Sequence, residues 1–230
     1  IGDRDTDLQL AQKINLPGIK IDPKKENAWL EIKKEIMSLD KKSSVNRKTN
    51  ETEITSTVDL SSDQRIDIKT GIGFYDHMLE QFAKHSGISV EIKCEGDLHI
   101  DEHHTVEDVA ITLGDALSRA LSTKAGIERY GFTLPMDDAK CSVAIDLSGR
   151  PFFKFDGEFT RDSIGGLPTE LIIHFFYTIS QHLKANIHIS VTGDDDHHKA
   201  EACFKCFGRA FSQAINKTKA TGVPSTKGTL

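Results

Sequence analysis

The sequence contains no apolar run approaching the roughly 20 residues that a membrane-spanning helix needs. No signal-peptide pattern is visible in a chain that opens at Ile1. Positive charge is not in surplus either: 29 Lys and Arg stand against 35 Asp and Glu, for a net charge of −6. Neither nucleic acid nor an anionic membrane is attracted to such a field, so neither is expected as a partner, and any anionic ligand has to be met by a local basic cluster. Cysteine is scarce. Cys94, Cys141, Cys203 and Cys206 are too few and too scattered for a disulfide scaffold, which fits a reducing compartment and a cytoplasmic location. The C-x-x-C made by Cys203 and Cys206 has no second thiol pair to complete a zinc site, and it falls in a helical pattern where two packing thiols are expected.

Histidine, by contrast, is well represented and patterned. Of ten histidines, four form two copies of His-His-x-x-Glu: His103, His104 and Glu107, then His197, His198 and Glu201. Each copy opens a stretch that reads as a long helix. Positions three and four apart share a helical face, so each glutamate can stand beside one of its histidines. Adjacent histidines project about 100° apart, so each pair is suited to serving two ions rather than chelating one. An N and O donor set without sulfur suits Mn²⁺, Fe²⁺, Ni²⁺ or Zn²⁺.

The first 42 residues do not match the rest. Gly2-Asp3-Arg4-Asp5-Thr6-Asp7 followed by Leu8-Gln9-Leu10-Ala11 resembles the last acidic motif of haloacid-dehalogenase-type phosphatases, in which two aspartates spaced like Asp3 and Asp7 hold Mg²⁺. The nucleophilic Asp-x-Asp of those enzymes is missing, so residues 1–42 are expected to be a C-terminal phosphatase remnant plus linker, loosely held and without phosphatase activity. Glu26 to Leu39 predicts an amphipathic helix with Trp29, Ile32, Ile36 and Leu39 on one face. Asp40-Lys41-Lys42-Ser43-Ser44 predicts a polar linker.

From Val45 the chain alternates strand and helix patterns in an order that occurs twice. Strands are predicted at 54–60, 66–70 and 88–94, with helices at 74–85 and 105–121. The second half predicts strands at 140–147, 152–159 and 187–192, with helices at 168–183 and 198–218. The spacing makes this a duplication. His77 and His174, His85 and His182, and Gly96-Asp97 and Gly193-Asp194 are each 97 residues apart, and the two histidine pairs are 94 apart. The expectation is an α+β, internally duplicated pseudo-twofold domain over 45–230, with halves 45–123 and 124–230, each a mostly antiparallel sheet packed by two helices. The duplication nominates His77 and His174 as partners, giving His77, His103, His104 and Glu107 from one half and His174, His197, His198 and Glu201 from the other. Of the leftover histidines, His188 alternates within a strand and is expected in the core or beside a ligand. Asp194-Asp195-Asp196 is expected to cap the helix that follows.

Val45 to Leu230 resembles the imidazoleglycerol-phosphate dehydratases. The segments that carry this are Arg47–Thr52 (RKTNET), Thr70–Leu79 (TGIGFYDHML), Asp101–Asp108 (DEHHTVED), Gly126–Gly131 (GIERYG), Asp146–Pro151 (DLSGRP), the second His-His-x-x-Glu and Pro224–Gly228 (PSTKG). The resemblance implies two Mn²⁺ per active site held by the eight residues above, with His77, Glu107 and Glu201 also taking part in catalysis. It implies a phosphorylated imidazole as substrate, with Arg129, Arg150, Ser225, Thr226 and Lys227 at its phosphate and Lys205 as a further substrate contact. Glu51 would be a substrate contact and candidate base, and Gln81 and His85 would line the pocket.

The reaction implied is loss of water from D-erythro-imidazole-glycerol phosphate, through an imidazolate and a diazafulvene, to imidazole-acetol phosphate in histidine biosynthesis. It also implies homo-oligomers, trimers assembling to a 24-mer through metal-linked contacts, and, with the first 42 residues, the second part of a fusion with histidinol-phosphate phosphatase. Two other readings fit part of the pattern. A dinuclear hydrolase would need a bridging carboxylate or nucleophilic Asp that the metal motifs do not offer, and a metal-storage protein leaves Arg129, Arg150 and Lys227 unexplained.

Overall fold

Between Thr52 and Asp59, and again between Lys140 and Asp146, burial alternates residue by residue, so each strand turns one row of side chains inward and the other to water. That alternation organises the whole of the larger unit. The computed structural model describes residues 1–14, 18–39, 41–61, 64–132, 137–218 and 222–227, those from 34 to 39 by backbone alone. It forms two units, Ile1–Lys41 and Lys42–Leu230.

The first unit holds α1 (Asp5–Lys13) and α2 (Ala28–Leu39), a parallel bridge between Gly2 and Lys20, and a small cluster of Ile19, Ile21, Ala28 and Ile32. Trp29 departs from the expected apolar face. It is 68% exposed, because the cluster is closed by Ala28 and Ile32, one turn apart, and Trp29 stands about 100° around the helix from Ala28. The side chains of Ile36 and Leu39 lie outside the described residues.

The second unit runs β1 (Lys42–Lys48), β2 (Thr52–Asp59), β3 (Ile66–Lys69), α3 (Gly73–Ser86), β4 (Ser89–Gly96) and α4 (His103–Leu121). The second half follows as β5 (Tyr130–Phe132), β6 (Lys140–Asp146), β7 (Phe152–Asp156), the short β8 (Ser163–Ile164) and β9 (Leu167–Pro168), α5 (Thr169–Leu183), β10 (Asn186–Thr192) and α6 (Asp196–Ile215). The sheets have matching orders, β1-β2-β4-β3 and β5-β6-β10-β7, with one parallel pair each, β3 with β4 and β7 with β10. The duplicated, mostly antiparallel α+β architecture is therefore as expected. The linker predicted at 40–44 is not: Lys42, Ser43 and Ser44 already pair with Asp59, Val58 and Thr57. An edge strand is held by main-chain bonds along one side, and with only Val45 buried it has no apolar period to read.

Helices dock across the halves, α3 on α6 and α4 on α5. Two glycines in register, Gly114 and Gly208, permit the close approach. A Cβ on Gly114 would stand 2.7 Å from His182 Cβ, and one on Gly208 would stand 2.7 Å from the Phe82 carbonyl oxygen. Around α6 the core is aromatic: Phe204 lies 4.9 Å from Phe175 and 4.8 Å from Phe176 between ring centres, and Phe82 stacks on Phe207 at 5.1 Å. All five are fully buried, which fixes the helices that carry the histidines.

Candidate metal centres

Because α3 lies on α6 and α4 on α5, the histidines regroup across the duplication. His77 of α3 stands with His197 and Glu201 of α6, and His103 and Glu107 of α4 stand with His174 of α5. Of the eight candidate ligands, whose division between two ions the sequence left open, six thus fall into two three-residue groups, each with donors from both halves. Within each group the donor atoms lie within 4.8 Å of one another, close enough for one divalent ion with N and O bonds of about 2.0–2.2 Å to draw them together. Two imidazoles and a carboxylate, with no sulfur, suit the metals named from the sequence.

In the first group His77 Nε2 lies 2.7 Å and His197 Nε2 3.6 Å from Glu201 Oε1. Burial pushes the Glu201 carboxyl up, but the Lys205 ammonium, 2.7 Å from Oε2, and His77 outweigh it and hold it below the usual carboxylate range. In the second group His174 Nε2 lies 3.4 Å from Glu107 Oε1, and the rings of His103 and His174 are 5.0 Å apart. The groups also correspond one turn further on: Gln81 Nε2 approaches His77 Nε2 to 3.5 Å, and Thr178 Oγ1 approaches His174 Nε2 to 3.5 Å. The tip of the β8–β9 hairpin leans on the first group from outside, since a Cβ on Gly165 would meet Phe74 Cβ at 2.8 Å, and Phe74 in turn lies 5.3 Å from the His197 ring.

His104 and His198 belong to neither group. His104 Nδ1 meets both carboxylate oxygens of Asp97, at 3.2 and 3.1 Å, and its Nε2 lies 3.6 Å from Glu51 Oε1. His198 Nδ1 meets Asp138. The hydrogen bond to Asp97 raises the pKa of His104, and that to Asp138 raises the pKa of His198.

The expected phosphate residues gather elsewhere. Arg129, Arg150, Ser225, Thr226 and Lys227 line one cavity of about 590 Å³, with Tyr130 and Pro224. Arg129 is less free than expected: its Nε and one terminal nitrogen clamp Asp146 at 2.6 and 3.0 Å, and the other terminal nitrogen donates to the Pro224 carbonyl at 2.9 Å. Three of its five N–H groups therefore hold the cavity wall together. Lys205 is not in this cavity but beside Glu201, and with Arg209 and Lys84 it lowers the pKa of His85, an effect secondary to that of burial.

A family model described as imidazoleglycerol-phosphate dehydratase matches residues 70–211. The chain belongs to this family. Its match to the dehydratase model takes in both three-residue groups, His104, His198, Arg129 and Arg150, and leaves Glu51 and residues 224–227 outside. The chain is 50% identical over 230 residues to the "Histidine biosynthesis bifunctional protein HisB" of Legionella pneumophila (strain Philadelphia 1), covering all of this chain and 64% of that protein. It is 47% identical over 233 residues to the protein of the same name from Stenotrophomonas maltophilia (strain K279a), covering 65% of it. The chain thus spans under two thirds of the length of these relatives.

Among solved structures, the imidazoleglycerol-phosphate dehydratase of Staphylococcus aureus is 32% identical with a TM-score of 0.69, over 77% of this chain and 99% of that one. The enzyme from Pyrococcus furiosus, in complex with (S)-C348, is 34% identical with a TM-score of 0.70, over 81% and 100%. The fold of this dehydratase-family chain is theirs.

Sequence reasoning missed Asp138 and Arg209, and it used Asp97 only as a register mark. Asp97 stands seven residues before His104, and Arg209 one turn after Lys205, so both were open to a search for helix-face and loop neighbours. Asp138, 60 residues before His198, carried no such signal. His188 is a correction: it is exposed on the outer face of the second sheet, its ring 5.3 Å from that of Phe152, and belongs neither to the core nor to a metal group. The capping role expected of the aspartate run falls to Asp195, whose carboxylate accepts from His197 N at 2.7 Å. Asp196 is buried against Lys199.

Proposed function

We propose that the chain is a metal-dependent hydro-lyase of histidine biosynthesis that removes water from D-erythro-imidazole-glycerol phosphate to give imidazole-acetol phosphate. The observation that carries this reading is the pairing of two His-His-Glu groups with a separate cavity of Arg, Lys and hydroxyl groups, in a chain of the dehydratase family. Mn²⁺ is the proposed ion, two per active site. A divalent cation there would lower the pKa of a substrate imidazole N–H, as cations do for bound water.

The chain's own residues have the remaining roles. Glu51, half exposed and 3.6 Å from His104, is the proposed base, and Gln81 and His85, which follow His77 along one face of α3, are the proposed pocket lining. Lys205, one turn after Glu201 and 2.7 Å from its carboxylate, is the proposed contact to an anionic group of the substrate. Arg150 and Lys227, in the cavity shaped by Arg129, suit a phosphate.

The cavity and the first metal group lie at opposite ends of α6. Arg129 N bonds the Ala214 carbonyl, whereas Glu201 is in the helix's second turn. At 1.5 Å per residue the separation along the helix is about 20 Å, longer than a glycerol phosphate carrying an imidazole. A site that joined this cavity to the first metal group would therefore take them from different copies of the chain. His104 and His198, which belong to neither group, would complete metal groups of neighbouring copies. This supports a homo-oligomer; trimers assembled to a 24-mer, a cytoplasmic location and no nucleic acid or membrane partner are proposed with it.

Residues 1–42 are proposed to be the end of a phosphatase domain without activity of its own. The test is formation of the acetol phosphate from imidazole-glycerol phosphate by chelated and Mn²⁺-reloaded protein, with histidinol phosphate assayed alongside. Mn²⁺-dependent dehydration without phosphate release supports the reading; phosphate release from histidinol phosphate with no dehydration overturns it.

A further inference from the structure

Four histidines stand within the two metal groups, and two, His104 and His198, are each held by an aspartate from a loop. Asp97 follows the end of β4 and is fixed at its main chain, where its N–H bonds the Glu51 carbonyl at 3.0 Å and its carbonyl accepts from Ile100 N at 2.7 Å. Its carboxylate, 17% exposed, meets His104 Nδ1 through both oxygens. Asp138 precedes β6. One of its oxygens meets His198 Nδ1, and the other accepts from Asp194 N at 3.1 Å and Asp195 N at 3.0 Å, so the carboxylate is pinned where α6 begins.

An ionised carboxylate only accepts, so in each pair Nδ1 carries the proton and donates it, and in the neutral ring Nε2 is left as a bare lone pair. The duplication makes this recurrence informative. The residue in register with Asp97 is Asp194, 97 positions on, yet Asp194 does not supply the carboxylate for His198; it gives its N–H to Asp138, which does. Symmetry-related histidines thus have the same ring nitrogen engaged by aspartates that are not related by the duplication. Inheritance from a duplicated ancestor does not explain that match, and unlike the pair of His182 Nδ1 with Asp115 at 3.0 Å, which ties α5 to α4, these two pairs fall on the histidines of the His-His-x-x-Glu motifs.

We infer that Asp97 and Asp138 are positioning residues that set His104 and His198 in the Nδ1–H tautomer and leave each Nε2, which at His104 lies 3.6 Å from Glu51 Oε1, without a proton and able to act as a metal ligand. The idea rests on the metal role proposed above. Carboxylates that hold the far nitrogen of a ligating histidine fix its tautomer and orientation and raise its basicity, and their loss typically weakens metal binding roughly 10–100-fold.

The test uses the full chain with ¹⁵N-labelled histidine, stripped of metal by a chelator and brought upward in pH until both rings are neutral. Two-bond ¹⁵N–¹H spectra report which nitrogen carries the proton. Signals of His104 and His198 are assigned by their loss in His104→Asn and His198→Asn. Wild type is expected to show Nδ1–H at both. Asp97→Ala is expected to turn His104 alone into a tautomer mixture, and Asp138→Ala to do so at His198 alone, with Asp97→Asn and Asp138→Asn restoring the wild-type signal through the amide oxygen. Mn²⁺ titration by calorimetry is expected to show roughly 10–100-fold weaker binding in each Ala variant.

The carboxylate of Asp97 bonds only His104 among the described residues, so Asp97→Ala keeps the test open if Asp138→Ala does not fold. Unchanged tautomers in folded Asp97→Ala, or unchanged Mn²⁺ affinity, would overturn the inference. Because the spectra are read without metal or substrate, a tautomer shift in a protein that dehydrates nothing would sink the proposed activity and leave the positioning role standing.

Discussion

His77 Nε2 and Glu201 Oε1 lie 2.7 Å apart across the duplication, 124 residues apart in the chain. The contact exists because α3 of the first half docks on α6 of the second, through the glycine at 208 and the stacked rings of Phe82 and Phe207. Each metal group is therefore only as precise as the packing between halves, and the chemistry and the core can be probed through the same helices.

Stability should respond sharply at that seam. Phe204→Ala removes a fully buried ring and is expected to destabilise the fold by about 3–5 kcal/mol. Gly208→Ala forces a Cβ against the Phe82 carbonyl and Ser86 N, which are main-chain atoms and cannot turn aside, and should cost about 1–3 kcal/mol. Urea denaturation of metal-free protein measures both, and values under about 0.5 kcal/mol would contradict the packing described.

Assembly should depend on metal. With His104 and His198 outside both groups and proposed to serve neighbouring copies, chelation is expected to break large particles into smaller ones on size exclusion, and Mn²⁺ to restore them. His198→Ala should remain small with Mn²⁺ present. A chelated protein that stayed fully assembled would count against metal-linked contacts.

The Asp138 carboxyl is held at about 2, below its ordinary 3.8, first by the Asp195 N–H, then by His198 and by the Asp194 N–H. A depressed carboxylate contributes stability that is fully present above the unfolded value near 3.8 and is lost as the pH falls through about 2. In metal-free protein a carbon-13 titration should find Asp138 still ionised at pH 3, and a midpoint near 4 would show the three contacts to be absent in solution.

Arg129→Lys keeps a charge but not the fork that clamps Asp146 and the Pro224 carbonyl. KM for the phosphorylated substrate should rise on the order of tenfold, equivalent to about 1.4 kcal/mol, with kcat changed less. A loss confined to kcat would place Arg129 nearer the reacting atoms than this cavity allows.

Much of this was legible in the sequence because period and register are local. The alternation of β2 and β6, the helical spacing of α3 to α6 and the 97-residue repeat gave the elements and all six histidines later found in or beside the metal groups. What one chain's pattern does not carry is which helix packs on which, so the sequence listed ligands by half and left their division between ions open, and the docking of α3 on α6 and α4 on α5 is what brings six of them into two groups. β1 escaped notice because an edge strand with one buried side chain has main-chain bonds and no apolar period. Asp138 escaped because its tie to His198 spans 60 residues between loops of no regular pattern.

The most direct measurement is the count of tightly bound Mn²⁺ per chain, read together with dehydration. Two ions per chain are expected in the wild type, falling to one in Glu107→Gln and to one in Glu201→Gln, with acetol phosphate formation lost in both while the fold, followed by circular dichroism, persists. Two ions retained in either variant, or full dehydration with one group removed, would contradict a reaction that needs both groups.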